Sequence, residues 1–407
     1  MSTLTQLFTS IANAIRAKKG TQALIEAEDF PNEIDTIQTG ITPTGTIDIT
    51  QNGITDVTNY ANASVNVKAS GGEKDVNFYD YDGTLVDSYT KAEFLELNEM
   101  PANPTHDRMI GQGWNWTLSQ AKDYLTYYDK LQIGQIYTTT SGKTEFDIVL
   151  NKATGLAFTL NMAGTKDWGD GTIDTATSHT YASYGEYTVT CDGTEISSTL
   201  IFGQASNKRN GSVIRARIAN VTSISANAFQ YCGALETITF SNDVIALGNN
   251  ILEECRWLQA MIIPTSITEI PQYFCRNDYM IKILSIAPSV TKLNQYAFYG
   301  CSNLRVVTLP KETATLQTGY VFQNCYALEL INLSFDMTTL TTYSLGNCYG
   351  LKKLDFSNFT SVPSFGTGAI SLGKASIIIV PDNLYNTWIT ASGWSGWASY
   401  IVKASEV

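Results

Sequence analysis

The apolar positions divide the chain into stretches of different period. Near the start, Leu4, Leu7, Phe8, Ile11 and Ile15 recur mostly three or four residues apart. That spacing predicts an amphipathic helix, capped by Ser2 or Thr3 and stopped at Gly20. Ile25, Phe30, Ile34 and Ile37 follow, and so short a unit buries little area alone, so residues 1–40 read as a helical attachment or oligomerisation segment. The period then falls to two. Ile47 with Ile49 and Val65 with Val67, with Asn52-Gly53 as a hairpin turn signal, predict a short β module over 41–70, and Ala69-Ser70-Gly71-Gly72 reads as a linker. Residues 74–140 predict a small α+β module. Val76, Phe78 and Leu85 flank a Tyr81-Asp82-Gly83-Thr84 turn, a short helix runs from Thr90 or Lys91 through Leu95, and Thr117 caps a second helix that buries Leu118, Ala121, Tyr124 and Leu125. Ile133, Ile136 and Tyr137 return as a strand. Over 143–200, a separate β module, Asp-Gly pairs predict tight turns and the alternation of Tyr187, Val189 and Cys191 predicts a final strand.

From 213 to 380 the pattern repeats. Phe229, Cys232, Leu235 and Ile238 form one unit, and units led by Leu252, Phe274, Phe298, Phe322 and Leu345 follow at intervals of 23, 22, 24, 24 and 23 residues. Such a period predicts a solenoid. The third unit reads Phe274, Asn277, Met280, Ile283, so that Asn277 stands at the cysteine position and Cys275 falls outside it. Five of the seven cysteines mark the repeat rhythm, which predicts small buried thiols rather than disulfides, and an odd total argues the same way. Tyr296, Tyr320 and Tyr343 each precede the repeat Phe or Leu by two residues and are expected to stack on one face; Tyr299, Tyr326 and Tyr349 lie near the turn cysteines. These six are the candidate binding residues, since exposed aromatic rows suit sugar rings or protein epitopes, although packing between turns would also account for them. Residues 381–407, with Trp388, Trp394 and Trp397, read as the cap a solenoid needs at its open end.

Composition narrows the function. The 407 residues carry 26 Lys+Arg against 38 Asp+Glu, a formal charge of −12, and only two histidines. Without basic blocks the chain is a poor partner for nucleic acid. No apolar run approaches the ~20 residues of a membrane helix. The charge is uneven: residues 1–212 hold 14 basic and 26 acidic residues, and 213–380 hold 11 and 10. The acidic front and the near-neutral, tyrosine-rich back predict different tasks.

Two motifs carry candidate chemistry. Asp80-Tyr81-Asp82-Gly83-Thr84-Leu85-Val86-Asp87 resembles the first motif of haloacid-dehalogenase-type phosphatases, in which the first aspartate attacks phosphorus beside a magnesium ion. That fold needs alternating strands and helices afterwards, and the sequence shows none, so a hairpin is expected and no catalytic residue is assigned. Asp167, Asp170 and Asp174 lack the alternate spacing and distal Glu of an EF-hand loop, so neither metal nor cofactor is expected.

Several stretches resemble known families. Ile11-Ala12-Asn13-Ala14-Ile15-Arg16-Ala17-Lys18, Asp29-Phe30-Pro31, the 43–67 strands, and Gly113-Trp114-Asn115-Trp116 are similar to tail-associated proteins of phages and prophages of Gram-positive gut bacteria. Asp167-Trp168-Gly169-Asp170-Gly171-Thr172, His179-Thr180-Tyr181 and Gly185-Glu186-Tyr187-Thr188-Val189-Thr190 resemble the polycystic-kidney-disease (PKD) domain, an immunoglobulin-like sandwich. Ala228-Phe229, Ala297-Phe298, Ile263-Pro264 and Leu309-Pro310 resemble the BspA-type leucine-rich repeat of bacterial surface proteins. Together these imply a multidomain, mainly β, non-enzymatic virion protein. It would join other tail or baseplate proteins through residues 1–40 as a homo-oligomer such as a trimer, extend through its middle modules, and meet a host cell-surface glycan or protein through its repeats. The start lacks the pattern of an export signal, which fits release by host lysis. A bacterial cell-surface adhesin and a phage head fibre or decoration protein are the alternative readings.

Overall fold

The computed structural model describes residues 45–48, 63–66, 73–150, 157–197, 201–202, 212–311, 319–334 and 337–407. The helix expected over 1–40 lies outside the described residues. The chain forms two compact units, Met1–Gly71 and Gly72–Val407. In the first, β1 (Gly45–Asp48) and β2 (Ala63–Asn66) pair in parallel, with Gly45 opposite Ala63. This corrects the expected hairpin. A two-residue turn joins antiparallel strands, whereas residues 49–62 give the longer connection that a parallel pair needs.

The second unit begins with a four-stranded sheet in the order β4-β3-β6-β5. Its elements are β3 (Val76–Tyr79), β4 (Leu85–Tyr89), α1 (Lys91–Leu95), β5 (Met109–Trp114), α2 (Leu118–Tyr124) and β6 (Leu131–Thr139). Both helices start at threonine capping boxes, Thr90 with Glu93 and Thr117 with Gln120. Phe78, Phe94, Trp114, Trp116, Tyr124 and Leu131 form one buried cluster. The two tryptophans are thus core anchors: Trp114 Nε1 donates to Pro101 O at 2.8 Å and Trp116 Nε1 to Ile286 O at 2.9 Å. β3 and β4 make the antiparallel hairpin expected around Gly83. Asp80 sits in it as a structural acceptor, 2.8 Å from Tyr137 Oη and 2.6 Å from His106 Nε2.

Residues 144–202 form β7 (Thr144–Leu150), β8 (Ala157–Thr159), β9 (Lys166–Asp167), β10 (Ile173–Asp174), β11 (Ser178–Thr180), β12 (Gly185–Cys191), β13 (Glu195–Ile196) and β14 (Ile201–Phe202). β10-β9-β12-β7 lie in one sheet and β11-β8-β14 in another, with Phe146, Phe158, Trp168, Tyr181 and Val189 buried in the core they share. Trp168 organises one corner. His179 stacks on its ring, with centroids 5.2 Å apart, and Tyr181 Oη donates to its carbonyl at 2.9 Å. Asp167, Asp170 and Asp174 each accept a backbone N–H two residues on, from Gly169, Thr172 and Ala176, as turn residues do. Among the described residues no group of His, Cys, Asp or Glu is arranged to hold a metal ion, and no helix is long and apolar enough to cross a membrane.

These strands do not stand off from the repeats as a spacer would. β15 (Val213–Ile218) pairs antiparallel with β7 and parallel with β17 (Thr237–Phe240), while β13 pairs in parallel with β16 (Ser223–Ile224). One sheet therefore runs from the 144–202 strands into the solenoid, and those strands close its first turn. The junction is held by Arg217, mostly buried, which donates to Glu145 at 3.0 Å and to both Asp147 oxygens at 2.9 and 2.7 Å. Parallel strands Ala260–Ile262, Ile283–Ser285, Val306–Thr308, Leu330–Asn332, Lys353–Asp355, Ile377–Val380 and Ile401–Lys403 then follow, one per turn. At the far end Trp388 and Trp394 are wholly buried against Phe356, and Trp394 Nε1 donates to Pro363 O at 2.7 Å.

The 73–140 module lies on the face of this parallel sheet. Asn115 Nδ2 donates to Ile263 O at 3.1 Å and Ser285 Oγ at 3.0 Å, Ser285 Oγ donates to Gln132 O at 2.9 Å, and Tyr128 Oη donates to Leu333 O at 2.6 Å. Gly134 is required here by close approach, since a Cβ at that point would fall 2.5 Å from two carbons of Ile262. The expectation that the middle modules extend the molecule fails from residue 73 onward, because both are packed against the solenoid.

Candidate functional site

Six turns of the solenoid each carry two residues in the left-handed region, four apart. The first is Asn227, Asn250, Tyr273, Tyr296, Tyr320 and Tyr343; the second is Tyr231, Glu254, Asn277, Gly300, Asn324 and Asn347. Both series step by 23, 23, 23, 24 and 23 residues. This register corrects the third unit. Counting from Tyr273, Cys275 takes the Phe/Leu position, Asp278 takes the cysteine position, and Ile281 and Leu284 take the places expected for Met280 and Ile283. All four are wholly buried. The hydrogen bonds agree: Cys255, Cys325 and Cys348 donate to Phe229 O, Phe298 O and Phe322 O, and Cys301 donates to Cys275 O, at 3.1–3.3 Å. All seven cysteines are buried free thiols, and burial pushes Cys232 and Cys348 up to about 12.

Asp278 is the exception in this ladder of thiols. It is wholly buried and neither carboxyl oxygen makes a well-formed hydrogen bond, although the Cys255 backbone N–H and the Cys275 thiol lie near it. Desolvation raises its pKa well above the ordinary 3.8, so the protonated form is favoured.

The tyrosines fall into two columns. Tyr273, Tyr296, Tyr320 and Tyr343 stack in series, with centroids 5.0, 4.6 and 5.5 Å apart and rings within 24° of parallel. The Arg276 guanidinium lies 4.7 Å from the Tyr273 ring, and Gly368 sits against the Tyr343 ring so closely that a Cβ would fall 2.3 Å from Cε1. The ring faces are therefore taken up by neighbours within the chain. Left-handed backbone costs roughly 1–2 kcal/mol for an L-residue, and each aromatic pair returns about 0.5–1.5 kcal/mol. Tyr299 touches the stack edge-on, 5.6 Å from Tyr296.

The second column follows the cysteine position: Tyr279, Tyr326 and Tyr349, with Trp257 one residue later in its own turn; Ser302 interrupts it between Tyr279 and Tyr326, and the Arg256 guanidinium lies 5.4 Å from the Tyr279 ring. These four are 38–59% exposed. Sequence reading found Tyr326 and Tyr349 but missed Tyr279 and Trp257. The signal was available, since each lies one or two residues after Asp278 or Cys255. Tyr273 was missed through the same one-residue slip in the third unit.

Parallel strands one per turn, paired left-handed residues and a buried thiol ladder define a leucine-rich-repeat β-solenoid. Residues 214–325 and 269–387 match the BspA type leucine rich repeat region, in six copies, so the chain carries repeats of that type. No curated protein matches the chain significantly. Similar solved structures include a leucine-rich repeat protein from Bacteroides ovatus, at 21% identity and TM-score 0.36 over 44% of this chain and 57% of that one. A leucine rich cell surface protein from Faecalibacterium prausnitzii matches at 18% and 0.31 over 40% and 51%. The T. pallidum leucine rich repeat protein matches at 20% and 0.35 over 47% and 87%. The match spans little more than half of the first two of those chains.

Proposed function

We propose that this protein recognises a cell surface, as a ligand-binding structural protein without catalysis, through the turn side of its repeats. The observation that carries the reading is the exposed aromatic column Trp257, Tyr279, Tyr326 and Tyr349. The other broad face of the solenoid, its parallel sheet, is covered from Ile263 to Leu333 by the chain's own module. Exposed tyrosine and tryptophan supply large amphipathic contact area at low entropic cost, which suits a surface glycan or protein. The stacked column would stiffen the turns that carry this row.

Two settings use the same face. As a tail-associated virion protein, the chain would attach through residues 1–40 to tail or baseplate proteins as a homo-oligomer; the likeness of residues 11–67 and 113–116 to phage tail proteins supports this. As an adhesin on a bacterial surface it would display the same repeats, and the match to BspA-type repeats favours this setting at least as well.

The test is binding of the purified full chain to candidate host cells and isolated walls. Trp257→Ala/Tyr326→Ala/Tyr349→Ala should weaken binding by about tenfold or more with an unchanged melting temperature. Tyr320→Asn should leave binding in place, because asparagine already occupies the same left-handed position at 227 and 250. Full binding by the triple variant would sink the proposal. Immunogold labelling of lysate particles against cell envelopes would separate the two settings.

A further inference from the structure

Asp80 gathers three donors although it is only 4% exposed. The Tyr81 N–H and Tyr137 Oη each lie 2.8 Å from its Oδ1, and His106 Nε2 lies 2.6 Å from its Oδ2. The His106 ring stands edge-on to Tyr81 and Tyr137, with centroids 5.1 and 5.4 Å away. Such a contact is an ion pair while the imidazole holds its second proton, and a weaker neutral-donor hydrogen bond once that proton is lost. His106 is coupled to a second anchor. It makes an isolated β-bridge with Met109, and Arg108 inside that turn is left-handed, with φ 65°. Few non-glycine residues adopt that backbone unless their neighbours hold them there. Arg108 is held at both ends. Its carbonyl accepts from Thr140 N at 2.8 Å, and its guanidinium reaches Glu145 at 2.8 Å, Asp147 at 3.7 Å and Thr188 Oγ1 at 3.0 Å. Glu145 and Asp147 are the carboxylates that Arg217 of the solenoid binds. Residues 106–108 therefore clasp the 73–140 module to the junction of the 144–202 strands and the solenoid.

We propose that His106 is a pH-responsive latch: protonated, it locks residues 106–108 onto Asp80 and keeps Arg108 across the junction, and neutral, it loosens that hold. The groups around the ring set the direction. The hydrogen bond to Asp80 raises the His106 pKa above the ordinary 6.5 against the pull of burial, and the charges of Asp80 and Asp82 in the hairpin add to it. Tyr81 and Tyr137, the titratable side chains packed on the ring, are themselves pushed up by burial and stay neutral. Arg215 and Arg217 of β15 act on Tyr81, and Asp107 and Arg108 belong to the turn itself. With the folded pKa above the unfolded one, the latch is at full strength below pH 6.5 and is lost as pH rises through the folded value. It is independent of the aromatic column and of cell binding.

The experiment follows the imidazole signals of the full chain by NMR from about pH 5 to about pH 9, with hydrogen exchange of residues 98–109 and of the Thr140 amide over the same range. His106→Gln, which keeps a donor and removes the charge, assigns the two histidine signals. The His106 midpoint should lie above 6.5. Exchange corrected for its intrinsic rate should rise severalfold toward the alkaline end, at Thr140 as well as at 98–109, because Thr140 N donates to Arg108 O. In His106→Gln that rise should vanish. A midpoint at or below 6.5, corrected exchange that ignores pH, or a response unchanged in His106→Gln overturns the latch. Should the variant fail to fold, loss of one imidazole signal through selective labelling of the unmodified chain still assigns His106, and its midpoint and exchange decide.

Discussion

Replacing Asp278 with cysteine should stabilise the protein, and the gain should grow with pH. The substitution restores the residue that five other turns carry at this position. In four of those turns the thiol donates to a carbonyl 26 or 27 residues back at 3.1–3.3 Å. Asp278 instead leaves both carboxyl oxygens buried without a well-formed hydrogen bond, the Cys255 N–H and the Cys275 thiol being near but poorly placed. An unsatisfied buried polar group costs about 1–3 kcal/mol, so a gain of that order is expected even where the carboxyl is protonated in both states. The pH dependence follows from linkage. Burial raises the folded pKa above the unfolded value of 3.8. Below that value both states hold the proton and the ionisation cost vanishes. Above it the unfolded chain releases a proton that the fold retains, so stability falls by up to about 1.4 kcal/mol per pH unit until the folded pKa is reached. Denaturant melts of the parent and Asp278→Cys under reducing conditions, from about pH 4 to about pH 7, should show curves that diverge upward with pH. Parallel curves, or a destabilised variant, would refute the reasoning and show that Asp278 has a polar partner in solution.

Other consequences are as direct. Gly134→Ala should cost about 1–3 kcal/mol by overpacking against Ile262, read as a lowered melting temperature and increased hydrogen exchange in β6. Arg217→Ala should destabilise the seam between the 144–202 strands and the solenoid, measured by denaturant melts, but by less than the roughly 3–5 kcal/mol of an orphaned buried charge, because Arg108 still pairs with Glu145 at 2.8 Å. Arg217 also holds Asp147 below its ordinary range despite burial, so that contribution should be present above the unfolded 3.8 and disappear as pH falls through the lower folded value. The thiols should resist alkylation in the native protein and all seven should react once it is unfolded, as mass spectrometry would report.

Much of the fold was legible because it rests on local rules. Thr90 and Thr117 sit before Glu93 and Gln120 at capping-box spacing, and both cap helices. The solenoid announced itself through its period, since each turn must bury the same apolar positions. The third unit shows the limit of that reading. Phe274 attracted the alignment because it matched a Phe template, but a large apolar side chain fits either of two neighbouring buried positions. The left-handed residues, which only backbone geometry reveals, set the register one residue later and placed Asp278 among the thiols.

By itself, then, the sequence determined the elements and the repeat: capped helices, a hairpin, alternating strands and a β-solenoid of about 23 residues per turn with buried cysteines. It also located most of the aromatic positions. Tertiary structure alone decided which tyrosine faces are used up in stacking, that β15 joins the sheet of the 144–202 strands to the solenoid, and that the 73–140 module covers the parallel sheet. The physical reason is range. Periodicity and capping act over a few residues, whereas Asn115 meets Ser285, and Tyr128 meets Leu333, through contacts 170 and 205 residues apart that no local pattern encodes.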